Sequence, residues 1–351
     1  MCSKVRWNKY ENEECDDMLK VCVIGMGHIG NIHAKVYSEL TNVKLVAVCD
    51  IIPERAATGE RYNASIYHDA LTMLTAERPD IVSVCTGGYE YSSDHCEPTL
   101  QALEAGAHVL CEKPISNEIV DGQRMVDTAK RLERCFAVNL NHRFTPAARE
   151  AKKWMNEGRI GELLFCNMSL WIGRFEQFDS PYFHLKALNP HSIDIMRYYC
   201  GEIEEVFCYA MKATGREIYS TASVNMKFEN GAVGHLTSSY DMARGHPMER
   251  CEVAGVKGRF VVEDMWREAT LYPADSWIKE QYTNPVFGGF RDFDDTFRDR
   301  IKSFVDQVAA GAAPEDIDGS GSAGLEATRV IHAAIESLKT GLPVKVRDTI
   351  V

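Results

Sequence analysis

Short apolar runs and helical patterns alternate along the first part of the chain. Runs rich in Val, Ile and Cys, such as VCVIG and IVSVC, predict strands at 21–25, 44–50, 80–86, 108–111 and 135–139. Helical spacing between them predicts helices at 28–40, 53–61, 94–106 and 118–132. Strands that are apolar throughout are buried on both faces, and their alternation with helices is typical of a parallel sheet. The pattern therefore predicts an α/β domain with a doubly wound parallel sheet.

After residue 144 the pattern changes. One helix is predicted at 146–157, and longer stretches of alternating apolar and polar residues follow, such as ELLFCNMSLWI and RCEVAGVKGRFVVED. Within VNMKFENGAVGHL the alternation is interrupted by Asn-Gly, the strongest short signal for a hairpin. The tail SGSAGLEATRVIHAAIESLKTG has apolar residues at helical spacing and ends in glycine. We expect a second, α+β domain with a mainly antiparallel sheet, closed by this helix.

Length, charge and cysteine usage narrow the class of protein. A chain of 351 residues favours two domains, and a net charge of -12 argues against broad nucleic-acid binding. No apolar run is long enough to span a bilayer, and the first residues lack the apolar stretch of a signal peptide, so we expect a cytoplasmic protein. The twelve cysteines form no CxxC pair. We therefore predict no metal site and treat the cysteines as small buried residues.

The most informative motif lies at the end of the first predicted strand. Gly25-Met26-Gly27-His28-Ile29-Gly30 matches GxGxxG, in which the glycines allow a tight turn and a close approach of the backbone to a pyrophosphate. Asp50 ends the second predicted strand, twenty residues beyond Gly30. A carboxylate there accepts hydrogen bonds from the adenine ribose and repels a 2′-phosphate, so NAD is preferred over NADP. Gly25, Gly27, His28, Ile29, Gly30 and Asp50 are thus the first candidate cofactor residues.

Several further segments carry a family resemblance that covers nearly the whole chain. They are Cys111-Glu112-Lys113-Pro114 within AGAHVLCEKPIS, Asn141-His142-Arg143-Phe144, Gly158-Arg159-Ile160-Gly161-Glu162, His191-Ser192-Ile193-Asp194 and the closing GLEATRVIHAAIESLKTGLPV. Together with the glycine motif, the chain resembles the glucose-fructose oxidoreductase, inositol dehydrogenase and rhizopine-catabolism family of oxidoreductases. The resemblance implies a Rossmann domain that binds NAD(P), a second domain with a large open sheet, and a substrate held between them. It also implies a homodimer or homotetramer.

Within that family resemblance, Lys113 takes the place of the active-site lysine and His191 that of the catalytic histidine. An ammonium group stabilises a developing alkoxide, and an imidazole titrates in the range that a general base needs. The bond between Lys113 and Pro114 is often cis in relatives. The resemblance also places Thr86, His95, Glu112, Lys113, Asn141 and Arg143 on the cofactor side.

The chain departs from the family pattern at Ala187, where many relatives carry an aspartate four residues before the histidine. His184 or Lys186 are candidates for the missing polar group, and direct proton transfer from His191 to water is another possibility. Asp194 follows His191 at i+3, where it is a candidate to hold the imidazole or the backbone on the cofactor side. Arg174, in the aromatic segment 171–184, is a candidate to bind a carboxylate or phosphate of the substrate.

These observations predict three segments and one principal function. A polar leader spans 1–18, an NAD-binding Rossmann domain 19–144, and a domain for substrate binding and oligomerisation 145–351, whose C-terminal helix packs back on the first domain. The predicted function is NAD-dependent hydride transfer between nicotinamide and a secondary hydroxyl or ketone of a sugar, inositol or glycoside, with C3 of a glycoside as one candidate position. Two alternatives are an NAD-retaining glycosidase or lyase that oxidises the sugar transiently, and a non-catalytic NAD-binding regulator.

Overall fold

The computed structural model of the chain describes residues 18–88, 93–173, 180–242 and 248–349. Its first sheet contains six parallel strands: β1 Leu19–Ile24, β2 Val43–Cys49, β3 Ser65–Tyr67, β4 Ile81–Val84, β5 His108–Cys111 and β6 Phe136–Val138. Their order across the sheet is β3-β2-β1-β4-β5-β6. The chain thus builds outward from β1 in both directions, which confirms the predicted doubly wound parallel sheet.

The two central strands explain why the apolar runs predicted this sheet. Every residue of β4 and the last four residues of β1 are buried, because helices cover both faces. The order of the strands reverses between β1 and β4. In sheets of this kind the crevice at the carboxyl ends of these two strands is where ligands bind. The glycine motif directly follows β1 and therefore lies at this crevice.

Helices connect the parallel strands. They are α1 His28–Glu39, α2 Pro53–Ala56, α3 Ala70–Glu77, α4 Cys96–Glu104 and α5 Ile119–Arg131. The helix predicted at 53–61 is α-helical only as far as Ala56 and continues as a 3₁₀ helix, Ala57–Tyr62. Gly59, within this 3₁₀ segment, lies directly on Val48. A Cβ atom at Gly59 would come within 2.3 Å of the Val48 side chain.

The second sheet contains nine strands. They are β7 Leu163–Trp171, β8 Ile203–Met211, β9 Thr221–Phe228, β10 Val233–Ser239, β11 Glu249–Gly255, β12 Gly258–Glu263, β13 Glu268–Pro273, β14 Glu280–Thr283 and β15 Val344–Lys345. Their order is β14-β13-β12-β11-β7-β10-β9-β8-β15, and among the described strands β7 and β10 are the parallel pair. The prediction of a mainly antiparallel sheet is confirmed, including the hairpin of β9 and β10 with Gly231 in a left-handed conformation at the turn.

The remaining helices are α6 Pro146–Asn156, α7 Phe183–Cys200, α8 Asp294–Ala309 and α9 Gly321–Thr340. The sequence analysis did not assign α8, although Phe297, Ile301, Phe304 and Val305 have helical spacing. These four side chains join the core beneath the first sheet, and α8 packs against α1. A chain segment far beyond the glycine motif thus completes the packing around the helix that the motif begins.

Two helices lie between the two sheets. Helix α7 is buried on nearly all sides, and it contacts α9, β7 and the 3₁₀ turn Asn141–Phe144 that follows β6. Helix α9 contacts α7 and β8 on one side and α5 and β6 on the other. Both helices therefore bridge the two halves of the molecule, and residues on α7 can reach the crevice of the first sheet.

The described residues include no helix with the length and apolar character needed to cross a membrane. The ten cysteines in this part of the chain are all buried, and none of them forms a disulfide. Most lie within strands and helices of the two cores, such as Cys22 in β1 and Cys166 in β7. Their packing matches the interpretation of these cysteines as small buried residues.

Candidate active site

The glycine motif forms an open cradle at the start of α1. Gly25 has a φ of +91°, and a Cβ atom there would lie 2.5 Å from the Cys85 carbonyl oxygen. A Cβ atom at Gly30 would lie 1.8 Å from the Gly25 carbonyl oxygen, so the helix and the turn are in direct contact. At Gly27, by contrast, nothing lies within 4 Å of the Cβ position. The backbone is therefore packed at two glycines and open at the third, which suits the close approach of a diphosphate.

The first turn of α1 offers its backbone N–H groups to this opening. Gly27 is the N-cap and supplies no side-chain hydrogen bond. His28 is exposed and Ile29 half-buried, so both flank the cradle. The Asn31 side chain donates to the carbonyl oxygens of Met26 and Gly27, each at 2.9 Å, and so ties the turn to the first turn of α1. A helix N-terminus arranged in this way attracts an anion.

Asp50 lies beside the cradle and holds its shape. One carboxylate oxygen accepts a hydrogen bond from the Met26 N–H at 2.7 Å, and the other accepts from the Ile52 N–H at 2.9 Å. A carboxylate has about four acceptor positions, so Asp50 can still accept hydrogen bonds from a ribose. The carboxylate thus both fixes the glycine turn and places a negative charge beside it.

His95 connects the loop after β4 with the segment after β5. Its Nδ1 lies 2.7 Å from the Pro114 carbonyl oxygen, and its Nε2 lies 3.0 Å from that of Thr86. The Thr86 hydroxyl donates to the Asp94 carbonyl oxygen at 3.1 Å. A Cβ atom at Gly88 would come within 2.8 Å of the His95 ring, which explains why a glycine follows here. Thr86 and His95 therefore shape the wall of the crevice.

Glu112 is buried in a chain of polar side chains beneath the crevice. Its carboxylate accepts hydrogen bonds from His33 Nε2 at 2.9 Å and from the Asn139 amide at 2.5 Å. Burial alone would raise the pKa of Glu112, but the hydrogen bonds from His33 and Asn139 and the positive charge of Lys113 outweigh it and lower the pKa. The ionised carboxylate only accepts, so His33 donates to it. Since His33 belongs to α1, Glu112 ties this helix to the segment after β5 that carries Lys113.

Lys113 reaches from the first sheet to α7. The bond between Lys113 and Pro114 is cis, as the resemblance implies. The Lys113 ammonium group donates to the Ala187 carbonyl oxygen at 3.2 Å. Ala187 lies one helical turn before His191, so the lysine and the histidine occupy the same end of the junction. The structure therefore brings together the two residues expected to carry the chemistry.

His191 is almost fully enclosed, with 8% of its surface exposed. Its buried Nδ1 atom has no hydrogen-bond partner within the described part of the chain. Burial lowers the pKa of His191 well below its usual value, and the positive charges of His142 and Lys113 lower it further. The imidazole is therefore neutral near pH 7 and able to accept a proton.

The other candidates on α7 occupy different surroundings. His184 is fully buried with its ring edge against Tyr240, and neither ring nitrogen has a partner in the described residues. Burial lowers the pKa of His184 to about 3. The Lys186 ammonium group instead donates to Glu118 and to the Asn117 carbonyl oxygen, each at 3.0 Å, and so links α7 to the start of α5. Arg174 lies outside the described residues.

Asp194, Arg143 and Asn141 hold the junction between the sheets. The Arg143 guanidinium donates from Nε to Asp194 at 2.8 Å, makes a second bond from Nη2 to the same carboxylate, and contacts Asp318 at 3.0 Å. The Asn141 amide donates to the Thr296 hydroxyl at 2.6 Å. Asp194 thus binds Arg143 rather than the imidazole, and all three nitrogens of Arg143 are engaged by carboxylates.

Two residues at the site were not among the predicted candidates. His142 stacks face to face on His191, with ring centroids 4.1 Å apart and an angle of 3° between the planes. Its Nδ1 lies 2.7 Å from a Glu249 carboxylate oxygen, the separation of an ion pair, although the angles are not those of a directed hydrogen bond. His142 lies within the Asn-His-Arg-Phe segment. That motif indicated that His142 lies near the site but not what it does there. Glu249 begins β11, and nothing in its local sequence indicates its partner.

Comparisons with known proteins identify the family and the relatives of the chain. Residues 19–140 match a family model described as an oxidoreductase family with an NAD-binding Rossmann fold, and residues 148–261 match the GFO/IDH/MocA C-terminal domain. Myo-inositol 2-dehydrogenase of Thermotoga maritima is 27% identical over 347 residues, 95% of this chain and 100% of that protein. D-glucoside 3-dehydrogenase of Escherichia coli is 38% identical over 148 residues, 41% of each chain. A levoglucosan dehydrogenase solved with NADH and levoglucosan has a TM-score of 0.82 at 22% identity, over 93% of this chain and 99% of that one.

Proposed function

The chain belongs to the Gfo/Idh/MocA family of oxidoreductases, and we propose that it is a dehydrogenase that transfers a hydride between NAD and a secondary hydroxyl of a sugar, inositol or glycoside. The observation that carries this proposal is the meeting of Lys113 and His191 at one end of α7. Lys113 follows β5, and the carboxyl end of β5 lies on the same edge of the sheet as the glycine cradle. A base, a cation and a dinucleotide cradle thus share one crevice.

The cradle supports binding of the dinucleotide. The open position at Gly27 and the uncapped N-terminus of α1 would hold the pyrophosphate, with His28, Ile29 and the packed Gly30 around it. Asp50 would accept hydrogen bonds from the adenine ribose, and its negative charge favours NAD over NADP. When bound, the nicotinamide accepts or supplies the hydride at C4.

The side chains of the chain supply the proton transfer and the charge. His191, neutral because of burial and nearby positive charge, takes the proton from the substrate hydroxyl. The Lys113 ammonium group stabilises the negative charge that develops on that oxygen, and in the reverse direction it polarises the carbonyl. His191 acts from within the buried junction, whereas Lys113 is only partly buried.

The other predicted site residues support these two groups. Glu112 connects Lys113 to α1, and His95 with Thr86 fixes the loop beside Pro114. Arg143 and Asp194 hold α7 against the 3₁₀ turn, and Lys186 holds it against α5. We assign Arg143, Asp194 and Lys186 to the geometry of the junction, and Asn141 to the contact with α8.

The relatives narrow the substrate class. Myo-inositol 2-dehydrogenase and D-glucoside 3-dehydrogenase act, by name, on a cyclitol and a glycoside. A cyclic polyol or pyranoside oxidised at a ring carbon is therefore the substrate class that we propose here. The comparisons give no support to the alternative of an NAD-retaining glycosidase or lyase. We also propose a homodimer or homotetramer that works in the cytoplasm, since buried free cysteines are typical of a reducing compartment.

The test is reduction of NAD, and separately NADP, by the purified protein in the presence of inositols, free sugars, sugar acids and glycosides. We expect one substrate class to yield reduced NAD, followed by absorbance. Lys113→Ala should lower kcat by roughly 10²- to 10³-fold, because one stabilising charge at the oxygen is lost. Lys279→Ala, at an exposed lysine between β13 and β14, is the matched control and should keep full activity. Tight NAD binding without turnover of any compound would overturn the proposal.

A further inference from the structure

His142 is a buried titratable residue to which the proposed reaction assigns no role. It lies between two partners, with the His191 ring over its face at 4.1 Å and the Glu249 carboxylate 2.7 Å from its Nδ1. The side chains of His142 and Glu249 are each only 4% exposed. Its segment, the 3₁₀ turn, comes from the first half of the chain and β11 from the second half. The contact between His142 and Glu249 therefore forms only where the two halves of the chain meet.

We propose that His142, held by Glu249, is a positioning residue that keeps His191 in its neutral, proton-accepting form. The inference rests on the proposed function, in which His191 is the base. It gives the site a means of controlling that base although the residue one turn before it, Ala187, has no titratable side chain.

The stacked geometry decides how His142 acts. Two parallel rings at this distance cannot form a hydrogen bond with each other, because the ring N–H groups lie in the ring planes. His142 therefore acts on His191 through charge and by fixing the plane of its ring. The Glu249 carboxylate, 2.7 Å from Nδ1, holds the His142 ring in this position. Positive charge on the stacked His142 ring opposes a second positive charge on His191.

The other groups near His191 also lower its pKa, are bound to other residues, or carry no charge. From the first sheet, Lys113 brings a positive charge, and it lowers the pKa of His191 together with burial and His142. On α7 itself, the Asp194 carboxylate is bound by Arg143. Phe293, at the start of α8, contacts His142 edge-on and carries no charge. Within the described residues, Glu249 is thus the carboxylate that reaches the stack, and it does so through His142.

The direct test is an NMR titration of the full chain with isotope-labelled histidine. The His191 resonance is assigned from its loss in His191→Gln. In His142→Phe the aromatic ring is kept and the charge removed, so the pKa of His191 should rise by about one unit or more. His235→Phe, on a partly exposed face of β10, is the matched control and should leave the His191 resonance unchanged. An unchanged pKa of His191 in His142→Phe would overturn the proposal.

Glu249→Gln separates the proposal from a simple electrostatic effect and also serves if His142→Phe does not fold. Removing a carboxylate lowers the pKa of a neighbouring histidine when nothing lies between them. Under the proposal Glu249 acts through His142, so its removal weakens the positive charge that His142 holds over His191, and the pKa of His191 rises. A fall would therefore contradict it.

Activity distinguishes this inference from the proposed function. The acid limb of kcat/KM should move to higher pH in His142→Phe, by the amount seen in the titration. A shifted titration in a protein that oxidises no compound of the panel would support the inference and overturn the function. A shifted titration with an unmoved acid limb would overturn His191 as the base, and with it the role of His142 in the reaction.

Discussion

The two ends of the crevice are built in opposite ways. The cofactor cradle comes from one stretch of chain, in which backbone groups and three glycines form the surface. The junction around His191 is assembled from side chains of distant segments, most of them charged and buried, such as Arg143 with Asp194 and His142 with Glu249. Both ends lie at the carboxyl edge of the same parallel sheet.

The two ends are therefore sensitive to different kinds of substitution. A backbone surface has no side chain to remove, so only added atoms damage it, through steric overlap. A buried charged pair is damaged by removal, because the partner that remains is an uncompensated charge in a poor solvent. The junction is therefore tested by removing a charge, and the cradle by adding a methyl group.

The largest effect is expected at the junction. Asp194→Asn leaves the buried Arg143 guanidinium with only the half-exposed Asp318 as a carboxylate partner. We expect the free energy of unfolding to fall by about 3 kcal/mol, measured by urea denaturation. Asp306→Asn is the control, since Asp306 pairs with Lys302 on the exposed face of α8. That substitution should cost under about 1 kcal/mol.

Equal costs for Asp194→Asn and Asp306→Asn would show that charge pairing does not hold the junction. The double variant Arg143→Met with Asp194→Leu sharpens the test. It removes both charges together, so it should recover part of the stability that the single variant loses.

A smaller effect is expected in the cradle, where two glycines form a matched pair. In Gly30→Ala the new methyl group meets the Gly25 carbonyl oxygen, which belongs to the backbone and cannot turn aside. We expect a loss of about 1–3 kcal/mol in stability together with weaker NAD binding. In Gly27→Ala nothing lies near the methyl group, so stability should persist while NAD binding weakens. Denaturation and calorimetric titration with NAD measure both quantities.

Unaltered NAD affinity in Gly27→Ala would mean that the diphosphate does not approach this glycine. Packing of the turn would still explain why Gly25 and Gly30 are glycines. The cradle would no longer be supported as the surface that binds NAD.

The smallest effect is one of pH. His184 has a pKa of about 3 in the folded chain because burial penalises its charged form, whereas an unfolded histidine titrates near 6.5. The unfolded state therefore binds more protons in this window, and the stability of the native chain falls as the pH drops below about 6.5. His184→Phe cannot titrate and should escape this loss, which amounts to at most about 1.4 kcal/mol per pH unit. Denaturation at pH 7 and pH 5 compares the two chains, and equal pH dependence would contradict the assignment.

Much of the fold follows from local patterns. The five predicted strands of the first sheet and the hairpin of the second appear in the structure, with bounds that differ by up to two residues. Strand β3 and helices α3 and α8 were missed, although the apolar spacing of α8 is regular, and the 3₁₀ helix after α2 was read as α-helix. Hydrophobic spacing indicates that a segment is helical, but how tightly its backbone winds depends on what it packs against.

By itself the sequence determined the doubly wound sheet, the antiparallel second sheet, the glycine cradle with Asp50, and the candidates Lys113 and His191. The sheets and the glycine motif depend on residues near one another in the chain, whose spacing reflects backbone geometry, whereas Lys113 and His191 became candidates through the family resemblance. Only the tertiary structure decided that Arg143 binds Asp194, and that His142 lies between Glu249 and His191. Such pairs depend on which distant segments meet in a buried junction, and a single carboxylate or imidazole carries no periodic pattern that indicates its partner.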